Sequence, residues 1–128
     1  MPYKMLVRSQ TSVRTAFDAG VPQENIIVDP GIGFGKTPDQ NLEVLAGFDA
    51  LKAIGCPILV GTSRKSTLGL LLDLTADQRV EATAATVSLA IAGGADLVRV
   101  HDVKEMVRVC RVTDAVVRGW RPEGWKTS

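Results

Sequence analysis

The stretch Ile27-Val28-Asp29-Pro30-Gly31-Ile32-Gly33-Phe34-Gly35-Lys36-Thr37 decides how the chain is read. Its start closes a short β-branched run, Ile26-Ile27-Val28, and an Asp-Pro turn with three spaced glycines follows. A phosphate loop of the form GxxxxGK[ST] would use Gly35-Lys36-Thr37, yet it needs glycine where Pro30 stands, and proline has no backbone N–H to give a phosphate. The dinucleotide pattern GxGxxG, begun at Gly31, fails because Lys36 occupies its last glycine position. What remains is a rigid turn and a backbone that can pass close to a flat ligand, with Asp29 at the tip as a bidentate acceptor. The plainer alternative makes Asp29 a turn former and the glycines mere geometry.

Two further runs resemble the first. Pro57-Ile58-Leu59-Val60 and Leu97-Val98-Arg99-Val100 are rich in Ile, Val and Leu and scarcely alternate, as parallel strands covered on both faces do. Helical patterns lie between them. Thr11 to Ala19 stops at Gly20, with Pro22 beyond. Leu42, Val44, Leu45, Phe48, Leu51 and Ile54 keep a period near 3.6 up to Gly55. Val80 to Ile91 ends at Gly93-Gly94, and a last helix starts after Asp102, a suitable N-cap, and carries Met106, Cys110 and several valines. The expectation is an αβαβαβα chain with three parallel strands and about four helices. An open doubly wound sheet and a segment of a (β/α)8 barrel both fit, and both put chemistry in the loops after the strands.

Those loops carry the polar residues. After the second run comes Gly61-Thr62-Ser63-Arg64-Lys65-Ser66, two cations among hydroxyls, suited to an anion or a polar heterocycle; a solvated loop is the plain reading. After the third, Arg99 and His101 share a face by period 2. A core salt bridge for Arg99 and a structural role for the single histidine are the alternatives. Taken together, Asp29, Lys65, Arg99 and His101 are expected on one rim, as a site for an anionic ligand bearing a hydrogen-bonding ring.

Composition narrows the classes. The 128 residues suit one domain, and 15 Lys and Arg against 14 Asp and Glu leave a net charge of +1, too little to draw the chain to nucleic acid or membrane. Mean hydropathy is +0.12. The longest apolar candidate, Ala82 to Ala92, is too short to span a bilayer. No signal peptide opens the sequence, and two cysteines, Cys56 and Cys110, read as buried thiols of a cytoplasmic protein. Nothing sets His101 among zinc-spaced ligands, and Gly61-Thr62-Ser63-Arg64 breaks the Gly-x-Ser-x-Gly elbow. Trp120 and Trp125 are expected to cover the last helix or an interface.

At three motifs the chain resembles the dihydropteroate synthases. These are Ile27 to Thr37 with Asn41 and Leu45 behind it, Gly61-Thr62-Ser63-Arg64-Lys65-Ser66, and Val98-Arg99-Val100-His101-Asp102-Val103. The resemblance implies a (β/α)8 barrel and a transferase of folate biosynthesis, a sulfonamide target. That enzyme condenses 6-hydroxymethyl-7,8-dihydropterin diphosphate with p-aminobenzoate, with Mg2+ as cofactor. By resemblance, Asp29, Lys65 and Arg99 bind the pterin, Arg99 and His101 the diphosphate, and Phe34 and Ser66 the p-aminobenzoate. Gly31, Gly33, Gly35, Ser63 and Arg64 support the loops. A barrel of this type needs ~250 residues. Residues 1–128 are therefore expected to be its C-terminal portion: the last three βα units preceded by one helix, with the first five strands, and the usual Mg2+ ligand, absent. No metal ligand is assigned here. The competing expectation is a catalytically incomplete barrel fragment, an interaction module whose open sheet edges pair with a second copy or with a complementing N-terminal half.

Overall fold

The computed structural model describes residues 2–32, 36–63 and 65–126, with the backbone alone at Pro2, Tyr3 and Ser66. Gly33, Phe34, Gly35 and Arg64 lie outside the described residues, as does the side chain of Ser66.

Helix α1, Pro2–Asp18, is longer than its apolar spacing suggests. Met5 is buried, and Val13 and Ala16 pack on the same core, while Thr11, Ser12 and Thr15 turn their hydroxyls back to carbonyls four residues earlier. It ends as Gly20 predicts. Gly20 takes φ +99°, the Val21 N–H donates to the Ala16 carbonyl at 3.1 Å, and the Gly20 N–H donates to that of Phe17 at 3.0 Å, which closes the helix in a Schellman motif.

The three apolar runs lie side by side and parallel, in chain order. Strand β1, Leu59–Val60, is central and pairs with β2, Leu97–Val98, in the register Leu59 to Leu97 and Val60 to Val98. On its other side Ile58 bridges Val28. The Val28 N–H donates to the Pro57 carbonyl at 2.9 Å and the Leu59 N–H donates to that of Val28 at 2.8 Å.

The pairing is shorter than the runs. Ile26 gives its N–H back to Gln23 within the 3-10 turn Gln23–Asn25, so this segment joins the ladder at Val28 alone. Arg99 still donates to the Val60 carbonyl at 3.0 Å, but the His101 N–H turns to a serine hydroxyl, and β2 stops at Val98.

Between Val28 and β1 the single helix expected up to Ile54 is two elements. Helix α2, Pro38–Ala46, starts in a capping box, with the Gln40 N–H donating to Thr37 Oγ1 at 3.1 Å and the Thr37 N–H to Gln40 Oε1 at 3.0 Å. It stops at Gly47, and a 3-10 segment, Phe48–Ile54, continues to the left-handed Gly55. The bend brings Val44, Phe48 and Leu51 together in the core with Ile58, Val60 and Ala90.

After β1 comes a helix that no apolar period marks in the sequence, α3, Ser66–Leu72, ended by Asp73 at φ +54°. Helix α4, Val80–Ala92, ends at Gly93-Gly94 as expected. Helix α5, Val103–Val117, follows Asp102, although no side-chain cap bond forms there. Val87, Ile91 and Met106 seal α4 against α5. The described residues thus hold five α-helices and three 3-10 segments, where about four helices were expected. No described helix is long and apolar enough to cross a membrane.

Cys56 is buried and Cys110 partly so; both are free. Burial and the nearby Asp114 push the Cys110 thiol up. Trp120 and Trp125 are partly exposed, with the Arg121 guanidinium over the Trp125 ring at 5.8 Å.

Candidate functional site

The loops that leave Val28, β1 and β2 emerge from the same end of parallel neighbours, so their first residues meet. Asp29 begins the first. Its Oδ1 accepts the Gly31 N–H at 2.8 Å, and Gly31 adopts φ +71°, a conformation that costs glycine little. This turn points the other carboxylate oxygen outward, where Oδ2 lies 3.8 Å from Arg99 Nη2. The two side chains are 35% and 60% exposed, so the pair adds at most about 1 kcal/mol to stability and is not the core salt bridge that Arg99 would make in the plain reading. Its effect is positional: an acceptor and a planar cation stand side by side and open to solvent.

Gly61 makes room for that cation. A Cβ built there would sit 2.9 Å from Arg99 Nη2 and 3.3 Å from Nε, so the guanidinium lies directly over the end of β1. The next two residues anchor the loop. Thr62 is buried and its hydroxyl bonds that of Thr86 on α4 at 2.8 Å. Ser63, also buried, accepts the His101 N–H at 3.0 Å and meets His101 Nδ1 at 2.8 Å. With Nδ1 held by the serine, Nε2 is the ring nitrogen left to face a ligand.

Lys65 follows as the N-cap residue of α3, partly buried, its N–H donating to the Thr62 carbonyl at 3.2 Å. Behind the rim Asn41 of α2 donates to Thr67 of α3 at 2.9 Å, both buried, which ties the helix after the Asp29 loop to the helix after Lys65.

Residues 3–101 match the family model described as pterin binding enzyme. The chain belongs to the pterin-binding enzyme family. Among its relatives, this family member is 53% identical over 107 residues to the dihydropteroate synthase of Clostridium beijerinckii, covering 83% of this chain and 40% of that protein. It is 47% identical over 113 residues to that of Bacillus subtilis, covering 88% and 40%. Among solved structures, Clostridium difficile dihydropteroate synthase in the presence of pteroic acid superposes with a TM-score of 0.83 at 49% identity, over 85% of this chain and 41% of that one. The Yersinia pestis enzyme in a sulfonamide drug complex gives 0.87 at 35% identity, over 92% and 43%. The chain spans about two fifths of the length of these relatives. Its α/β architecture is that of dihydropteroate synthases.

Among the sequence-derived residues, the structure joins Asp29 to Arg99 and Ser63 to His101, and it gives Gly31 the role of holding Asp29. Lys36, although it lies within the Ile27–Thr37 motif, has no role assigned from sequence. Its Nζ donates to the Pro30 carbonyl at 2.9 Å and the Gly31 carbonyl at 3.1 Å. The sequence signal was a lysine closing a glycine-rich loop, weighed only as a phosphate ligand.

The described residues do not fit a Mg2+ cage. Among those described, no three His, Cys, Asp or Glu side chains gather, and the Asp29 oxygens are engaged by Gly31 and Arg99.

Proposed function

We propose that the chain is part of a dihydropteroate synthase and forms the arc of its site that faces the pterin and the diphosphate. On this reading residues 1–128 are the last three βα units of a (β/α)8 barrel with the preceding helix. The observation that carries the proposal is the pairing of an exposed Asp29 acceptor with Arg99 beside a serine-anchored His101.

The chemistry follows from that arrangement. The Asp29 carboxylate accepts hydrogen bonds from the ring N–H and amino groups of a pterin, while Lys65 donates to the ring carbonyl. The p-aminobenzoate amine attacks the methylene carbon of the pterin, the C–O bond to diphosphate breaks, and the amine nitrogen releases one proton to water. Negative charge then accumulates on the departing oxygens, where Arg99 and the His101 Nε2–H donate to it. Phe34 and Ser66 are proposed for the p-aminobenzoate ring and carboxylate. The chain contributes orientation and charge stabilisation more than proton transfer. A cytoplasmic location fits the free thiols of Cys56 and Cys110.

Inorganic diphosphate is the simplest probe of the anion end. Titrated into the chain, it is expected to shift the His101 ring resonances, because the ring Nε2–H donates to the anion. A His101 ring that does not respond to saturating diphosphate overturns the assignment.

A further inference from the structure

The turn that presents Asp29 is held from two sides. Gly31 gives its N–H to Asp29 Oδ1, while the carbonyls of Pro30 and Gly31 both receive the Lys36 ammonium, at 2.9 and 3.1 Å. Neither carbonyl belongs to a helix or a sheet ladder. An ammonium with three donors can bridge two acceptors that diverge in this way, which one backbone N–H cannot.

The placement carries an electrostatic cost. Lys36 is partly buried and lines a cavity of about 470 Å3 together with Arg8, Asp29 and Pro30. Burial and the like charge of Arg8 from α1 push its pKa down, against the opposing pull of Asp29. A lysine kept there against desolvation and a facing arginine needs strong compensating bonds, and the ones it makes go to the Asp29 turn.

We propose that Lys36 is a positioning residue: by clamping the Pro30 and Gly31 carbonyls it fixes the turn in which Gly31 orients Asp29 toward its ligand. The effect on ligand binding rests on reading Asp29 as the pterin acceptor; the clamp itself does not.

The test uses the full chain, Lys36→Met and Lys36→Arg, with 6-hydroxymethylpterin and inorganic diphosphate as separate probes. Lys36→Met is expected to speed hydrogen exchange at the Gly31 amide and to weaken pterin binding, each about tenfold, with diphosphate affinity unchanged. Lys36→Arg, which keeps a cation with several donors, is expected to restore both. Unchanged Gly31 exchange in Lys36→Met overturns the proposal. Equal losses for pterin and diphosphate, the mark of a merely structural lysine, overturn it as well, as does failure of Lys36→Arg to restore either readout. If the parent chain binds no pterin, the functional reading of Asp29 fails, and Gly31 exchange in the two variants still decides whether the clamp exists.

Discussion

Replacing Asp29 by Asn is expected to weaken pterin binding by roughly 10- to 100-fold, the range that follows from losing hydrogen bonds to a charged group. The substitution isolates the charge. Asparagine keeps an oxygen that can accept the Gly31 N–H, so the turn seen at 2.8 Å survives, and the exposed ion pair to Arg99 contributes little to stability. What changes is the face turned to the ligand. A carboxylate only accepts, whereas the asparagine amide presents N–H donors to a pterin edge that also donates. The expected result is a fluorescence titration with a large rise in Kd at an unaltered thermal midpoint. A variant that binds the pterin as the parent does would remove Asp29 from the site.

The second large effect lies in the core. Phe48 is 1% exposed and sits in the cluster formed by Val44, Leu51, Ile58 and Val60. It also touches the end of α4, where a Cβ at Gly93 would meet the Phe48 Cβ at 3.3 Å. Phe48→Ala leaves a cavity bounded by the α2 bend, β1 and α4, elements that cannot all collapse inward. The expected loss is about 3–5 kcal/mol, a large share of the roughly 5–15 kcal/mol that holds a domain of ordinary stability. Urea unfolding followed by circular dichroism should show the midpoint fall sharply, while Leu71→Ala on the exposed face of α3 changes it little. A loss below about 1 kcal/mol for Phe48→Ala would contradict the core as described.

How far the sequence alone reached can be read from particular residues. Gly20, Gly55 and Gly93-Gly94 mark helix ends because the left-handed or tight backbone needed there is a local property, and local properties are written in adjacent residues. The three apolar runs likewise show which segments pair, through their Ile, Val and Leu content, although the two-sided cover expected of them is incomplete: Ile27 and Leu97 stay exposed. Their lengths were not legible. Where a strand stops depends on which partner captures the next N–H, and for His101 that partner is Ser63, 38 positions away. The break at Gly47 was hidden because the apolar period runs through it unbroken; helix α3 was hidden because seven residues are too few to show a period.

The site divides in the same way. Asp29, Arg99 and His101 stood out because charged and polar groups at strand ends are unusual in otherwise apolar runs. Their neighbours did not. The bond from Ser63 to His101, the space that Gly61 leaves for Arg99 and the hold of Lys36 on two carbonyls are all products of the fold. A serine, a glycine and a lysine in a polar loop carry no mark of such roles until the strands are brought side by side.

The central claim is that this arc binds a pterin diphosphate through groups drawn from separate strand ends. Isothermal calorimetry of the chain with 6-hydroxymethyl-7,8-dihydropterin diphosphate, beside the Lys65→Ala, Arg99→Ala double variant, tests it most directly. Measurable binding to the parent is expected, with a loss of at least about 100-fold in the double variant, from removing two charged donors. Unaltered affinity in the double variant, or no binding to the folded parent chain, would contradict it.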